Sequence, residues 1–312
     1  MKKPNPQPKN NTTGQTYRGR FAPSPSGELH FGSLLAAMAS YADARAHNGQ
    51  WLLRIDDIDQ ARVVPDSAEH IIRTLEQLGF EWDESIYYQS RHIRDYRKAL
   101  DKLQEKNLTY PCFCSRKQIK SRSSNGIYPG TCRPNNQADK TTKTTEDKEY
   151  ALRIKVPDKA LSFKDQIQGA YTQQLAQGVG DFIIYRRDKV FTYQLSIVVD
   201  EYLSRITHIV RGHDLLDSTP RQIYLQQQLG YPTPIYAHIP LAVTKEQLKL
   251  SKLSRARKVR CDLPTLVQAA RFLGQDIAPD NNYQSLQDFW QHLFDIWQLK
   301  QVPKMEKIEI MY

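Results

Sequence analysis

Two short segments near opposite ends of the 312-residue chain carry residue types suited to phosphate chemistry. Ser26-Gly27-Glu28-Leu29-His30-Phe31-Gly32-Ser33 puts a histidine and two glycines at the mouth of a helix-like run. Lys249-Leu250-Ser251-Lys252-Leu253 puts two lysines on a stretch with few bulky side chains. Forming an adenylate needs donors on an α-phosphate as it becomes five-coordinate, and cations on the departing pyrophosphate. In this order the segments predict the two halves of one ATP site. His30 and Lys252 take the catalytic roles, and Gly32 and Lys249 contact the nucleotide with them. A turn with a capping histidine and an unrelated basic loop would carry the same residues without the chemistry.

These residues must be positioned by a strand, a tight turn and a helix. Residues 18–22 can form a short strand, which Pro23, Pro25 and Gly27 break. A helix-like run follows over 32–47, with Leu35, Met38, Ala39 and Ala42 at helical spacing. That arrangement aims backbone N–H groups at a phosphate, and glycines let the nucleotide approach the backbone. Residues 20–33, Arg-Phe-Ala-Pro-Ser-Pro-Ser-Gly-Glu-Leu-His-Phe-Gly-Ser, resemble the HIGH motif of class I aminoacyl-tRNA synthetases in its glutamyl version. Residues 249–253 resemble the KMSKS motif. The resemblance implies an α/β fold: a Rossmann-like class I catalytic core carrying an insertion and a helical C-terminal segment.

Lysine and arginine number 44 against 34 acidic residues, a net charge of +10 that fits a polyanion such as RNA and equally fits solvated surface lysines. Residues 1–16 lack an apolar core and are expected to be a disordered basic tail. No run has the length of a membrane span, and four cysteines, three of them clustered, suit metal binding in a reducing cytoplasm. Cys261 stands apart as a free thiol.

Strand and helix patterns alternate over 17–109, the first part of the predicted core, with strand 51–55 and helices 66–78 and 91–106. Residues 110–180 read as an insertion, with the polar stretch 134–149 as a mobile loop. The core resumes over 181–245, with strands at 181–185, 207–210 and 235–240 and a helix at 220–229. The rest, 246–312, holds the lysine loop and a helical tail. There Leu286, Phe289, Trp290, Leu293, Phe294 and Trp297 form a stripe suited to packing. Those 60 or so residues after Lys252 are expected to be too few for a separate anticodon-binding domain of roughly 100–150 residues.

Guanidinium forks match carboxylates bidentately; Arg20 lies beside the His30 loop and Arg211 stands at the end of a predicted strand, although surface ion pairs would use the same residues. The resemblance implies that Arg20, Ser24, Tyr193 and Arg211 line a glutamate pocket. It also implies that Asp56 meets the substrate ammonium. Related enzymes typically have Glu-Asp where this chain has Asp56-Asp57, so the contact is one methylene shorter here.

Cys112-Phe113-Cys114 and Cys132 supply three thiols of the four ligands a tetrahedral Zn²⁺ takes. The fourth could be a water or a distant histidine, or the cysteines could be three small buried thiols. The flank Tyr128-Pro129-Gly130-Thr131-Cys132-Arg133 resembles the zinc module of glutamyl-queuosine tRNA(Asp) synthetases, which implies Tyr128 as the fourth ligand.

Over residues 17–275 the combined features resemble that family. The implied activity is ATP- and Mg²⁺-dependent activation of L-glutamate, followed by transfer to queuosine at the first anticodon position of tRNA(Asp). A cytoplasmic monomer with one structural zinc is expected. The alternatives are a shortened glutamyl-tRNA synthetase charging a tRNA 3′ end and a non-catalytic RNA-binding paralogue.

Overall fold

The strand, turn and helix predicted around His30 form as β1 (Arg18–Phe21), α1 (Phe31–Ala46) and β2 (Gln50–Ile55) in the computed structural model. The structure describes residues 16–123, 125–134, 149–244, 258–278 and 282–309. The basic tail through residue 15, most of the polar stretch 134–149 and the lysine loop with Lys249 and Lys252 lie outside the described residues. β1 and β2 pair in parallel, with Arg20 opposite Leu52. α1 is apolar on nearly every side: Leu34, Leu35, Ala37, Met38, Ala39 and Ala42 are all buried. A helix without a polar face must be central, and α1 is packed between the strands and the C-terminal helices.

α2 (Ser67–Gln77) and α3 (Ile93–Glu105) flank the two-residue strand β3 (Tyr87–Tyr88), which pairs in parallel with β2. Next come β4 (Thr109–Cys112), α4 (Arg116–Arg122), β5 (Ala151–Ile154), β6 (Ala160–Asp165), β7 (Gly169–Gln174), α5 (Leu175–Gly178) and β8 (Phe182–Tyr185). β4, β5 and β8 make an antiparallel sheet, and β6 and β7 an antiparallel hairpin. The strand expected at 181–185 therefore forms, but with a different partner: it pairs antiparallel with β5 instead of resuming the parallel sheet. Asp181 explains this, because its carboxylate takes the Val156 N–H (2.7 Å) and its carbonyl takes Arg153 Nη1 (2.6 Å), locking the segment to β5.

Parallel pairing resumes only after α6 (Tyr193–Leu203), with β9 (His208–Gly212), α7 (Thr219–Leu229) and β10 (Ile235–Ile239). β9 runs beside β1, tied by Thr207 N–H to Arg18 O (3.0 Å) and by Arg18 N–H to Thr207 Oγ1 (2.8 Å). The β9–β10 register sets Arg211 directly opposite His238. After β11 (Leu241–Val243) come α8 (Leu263–Phe272), α9 (Leu286–Ile296) and β12 (Lys307–Glu309). The predicted aromatic stripe is packing: Phe289, Trp290, Leu293 and Trp297 are buried, and Trp297 Nε1 donates to Asp43 Oδ1 on α1 (3.0 Å). The tail is not wholly helical, since β12 pairs in parallel with β11. Among the described residues no helix is long and apolar enough to cross a membrane.

Candidate active site

The turn between β1 and α1 builds the first wall of the site. Gly27 sits at φ +145°, a conformation that favours glycine. Ser67 clamps it from α2, accepting the Gly27 N–H (2.9 Å) and donating to the Gly27 carbonyl (2.6 Å). His30 then caps α1: its backbone is extended and its Nδ1 accepts the Ser33 N–H at 3.2 Å. A neutral ring in that role carries its proton on Nε2, where it is a donor. The first turn of α1 holds no acidic residue, so no carboxylate within it offsets the positive potential of its amides. A side chain at Gly32 would put its Cβ 3.4 Å from His30 Nδ1, filling the space beside the ring.

A cleft of about 720 Å³ opens over this turn, lined by Ser24, His30, Gly32, Gly212, Pro240 and Lys258 among others. Lys258, paired with Glu28 at 2.9 Å, is a cation in this wall that sequence reasoning missed, having no motif around it. A second cavity of about 240 Å³ is lined by Ser24, Asp56, Arg62, Arg186, Thr192 and Tyr193. Ser24 and Arg62 line both spaces. Three of the five expected glutamate residues thus meet in one cavity: Ser24 from the turn, Asp56 from the end of β2, and Tyr193 as the first residue of α6.

Arg20 and Arg211 do not line this cavity; they are buried. Arg20 gives Nε to Glu201 Oε1 (2.8 Å) and Nη1 to the Val210 carbonyl (3.3 Å). Arg211 gives Nε to His238 Nε2 (3.0 Å) and Nη2 to Thr219 Oγ1 (2.8 Å), while its Nη1 has no hydrogen-bond partner among the described residues. Arg54, unremarked in the sequence, joins these groups. Its Nε holds Asp56 Oδ1 at 2.7 Å and its Nη1 lies 3.5 Å from Glu201 Oε1. Asp200 accepts from Tyr87 (2.8 Å), Tyr96 (2.6 Å) and Gln89 (2.6 Å).

Burial dominates the electrostatics of this network. It pushes the Asp56 carboxyl up to about 7 against the opposing pull of Arg54, and pushes Asp200 up to about 6. For Glu201, burial is outweighed by Arg20 and Arg54, which hold its carboxyl below the usual range. The neighbouring Asp57 and Asp59 do other work: Asp57 accepts from Ser90 N–H (2.8 Å) and Oγ (2.6 Å), and Asp59 pairs with Arg186 (2.7 Å).

The cysteine cluster forms at the end of β4. The sulfurs of Cys112, Cys114 and Cys132 lie within 4.8 Å of one another, with Cys114 and Cys132 at 3.6 Å. Tyr128 Oη is 3.5 Å from Cys112 Sγ and accepts the Cys132 N–H at 2.7 Å. Tetrahedral thiolates about 2.3 Å from a zinc ion stand ~3.8 Å apart, and a thiolate and an oxygen ligand stand ~3.5 Å apart. The three cysteine sulfurs could therefore hold a metal ion; Tyr128 lies beside them, with Arg153 stacked 3.7 Å over its ring. Cys261 is exposed and free.

Known proteins are similar to this chain in sequence and in fold. Residues 16–268 match the model of tRNA synthetases class I (E and Q), catalytic domain. A glutamyl-Q tRNA(Asp) synthetase of Pseudomonas putida is 47% identical over 86% of this chain and 88% of its own. One from Neisseria meningitidis is 46% identical over 92% of this chain and 98% of its own. Among solved structures, the glutamate-tRNA synthetase of Elizabethkingia anophelis aligns with a TM-score of 0.77 at 23% identity, covering 95% of this chain and 68% of that one.

Proposed function

The chain belongs to the glutamyl-Q tRNA(Asp) synthetases, within the class I synthetases of the E and Q type, and on that premise we propose that it activates L-glutamate with ATP and transfers the glutamyl group to queuosine in the anticodon of tRNA(Asp). The observation that carries this reading is the pair of adjoining spaces. A small cavity with Asp56 shares Ser24 and Arg62 with a larger cleft walled by His30 and the start of α1. Glutamate in the first and ATP in the second would bring a carboxylate to the α-phosphate, and holding the two together removes most of the entropic cost of the reaction.

In this mechanism the glutamate α-carboxylate attacks the α-phosphate in line. His30 Nε2–H and the first amides of α1 stabilise the developing charge, and pyrophosphate leaves toward Lys249 and Lys252. Mg²⁺ bound with ATP neutralises the phosphates. A hydroxyl of the queuosine cyclopentene ring then attacks the glutamyl-adenylate, releasing AMP. The same core is Rossmann-like, with 110–180 as its insertion and Cys112, Cys114, Cys132 and Tyr128 as ligands of one structural zinc.

ATP-dependent incorporation of labelled glutamate tests the reading. Label on queuosine-containing tRNA(Asp), and none on queuosine-free tRNA(Asp) or tRNA(Glu), is the expected result. Label on tRNA(Glu) instead would make the protein a 3′-end charging enzyme, and absence of glutamate-dependent ATP–pyrophosphate exchange would make it a non-catalytic binder.

Two further outcomes follow. Ionised Asp56 attracts the substrate ammonium and protonated Asp56 does not. Because its carboxyl titrates at about 7, kcat/KM for glutamate is lost as pH falls through that value, approaching tenfold per pH unit. Asp56→Asn lowers kcat/KM and flattens that limb; an unchanged pH profile in the variant would remove Asp56 from the site. Metal analysis of freshly purified, reduced protein gives about one zinc per chain, and Cys114→Ser loses it with a lower melting temperature. Protein that is folded and free of zinc would refute the metal site.

A further inference from the structure

Arg211 is held by a chain of buried polar groups that starts in a distant hairpin. Asp165 closes β6 and is fully enclosed, as is His238 on β10. His238 Nδ1 lies 2.6 Å from Asp165 Oδ2, and His238 Nε2 takes the Nε–H of Arg211 at 3.0 Å. A guanidinium can only donate, so Nε2 must offer a lone pair and the imidazole proton must sit on Nδ1, facing the carboxylate. Burial keeps this ring neutral, holding its pKa down to about 4. Thr219 Oγ1 takes Nη2 of Arg211 at 2.8 Å, which leaves Nη1 as the edge without a partner among the described residues. The next residue along β9, Gly212, and the nearby Leu215 both line the nucleotide cleft.

We propose that Asp165 and His238 are positioning residues for substrate binding: the carboxylate sets the imidazole tautomer, and the imidazole aims the Arg211 guanidinium so that its buried Nη1, without a hydrogen-bond partner among the described residues, takes a carboxylate when substrate enters. This rests on the reading of Arg211 as a glutamate-binding residue. It also gives the β6–β7 hairpin, remote in sequence from every motif, a part in the amino-acid site.

Asp165→Asn tests the tautomer without changing volume. Three backbone N–H groups, of Ile167 (3.0 Å), Gln168 (2.8 Å) and His238 (3.1 Å), all donate to Asp165 Oδ1. An asparagine must keep its carbonyl oxygen there, which turns its NH₂ toward His238 Nδ1. The imidazole proton is then driven to Nε2, against the Arg211 donor. In glutamate-dependent ATP–pyrophosphate exchange the expected result is a rise in KM for glutamate of about 10- to 100-fold, with KM for ATP little changed. Equal effects of Asp165→Asn on both KM values would reduce the chain to a structural one and overturn the proposal. If Asp165→Asn does not fold, His238→Asn, too short to reach Arg211, replaces it with the same expectation. Arg211→Ala separates the two readings. If it raises glutamate KM while Asp165→Asn does not, only the positioning role falls. If Arg211→Ala leaves glutamate KM unchanged, the role of Arg211 falls and the positioning role with it.

Discussion

His30→Ala lowers glutamate-dependent ATP–pyrophosphate exchange by about 10²- to 10³-fold, the loss expected when one donor to a developing oxyanion is removed. The magnitude follows from where the ring is held. His30 Nδ1 is occupied by the Ser33 N–H at 3.2 Å, so Nε2 carries the proton, 3.2 Å from Ser33 Oγ and in the wall of the larger cleft, where bound ATP would compete for it. The interaction matters most when charge builds on the α-phosphate, so kcat falls more than KM for ATP rises. His30→Asn keeps a cap for α1 and loses the donor at the Nε2 position, so it should be nearly as slow as the alanine variant but more stable. Near-normal exchange by His30→Asn would mean that His30 serves only as a helix cap. Lys252→Ala, acting on the departing pyrophosphate, should be comparably slow.

Glu201→Ala destabilises the protein by about 3–5 kcal/mol, the usual cost of stripping one partner from a buried ion network. Glu201 Oε1 holds Arg20 at 2.8 Å and Arg54 at 3.5 Å, and all three side chains are at most 6% exposed. Without the carboxylate, Arg20 keeps, among the described residues, the Val210 carbonyl at 3.3 Å, and Arg54 is left with Asp56 and Asp200. Urea titration measures the loss; a change under about 1 kcal/mol would mean that water reaches the arginines. The pH dependence has a definite sign. Glu201 is held below its usual range, so its contribution is present above the ordinary carboxylate pKa of about 4.3 and is lost as pH falls through its folded value. Asp56 and Asp200 are raised, so stability falls as pH rises from the ordinary carboxylate value through about 6 to 7. Wild type therefore has an optimum between these limbs, and Glu201→Ala loses mainly the acid one.

The chemistry at β1 and α1 was legible because it is local. Proline and glycine breakers, a capping histidine and an apolar run all act within one turn of chain, and the strand, turn and helix follow from them. The cysteine cluster was legible for a similar reason: Cys112 and Cys114 share the end of β4, and Tyr128 and Cys132 share one loop. Asp56 and Tyr193 could be named from motif matches, but their meeting beside Ser24 rests on three separate elements.

By itself, then, the sequence determined the strand, turn and helix around His30 and the close Cys112–Cys114 pair, since each depends on neighbours within a few residues. Only the tertiary structure decided that β8 joins the antiparallel sheet and that Arg20 and Arg211 are buried away from the cavity that Ser24, Asp56 and Tyr193 line. It alone decided that Arg54 ties Asp56 to Glu201 and that Asp165 reaches His238 across 73 residues. The physical reason is that the cost of burying a charge depends on partners the chain brings from afar, and no local pattern of residue types records which partners will arrive.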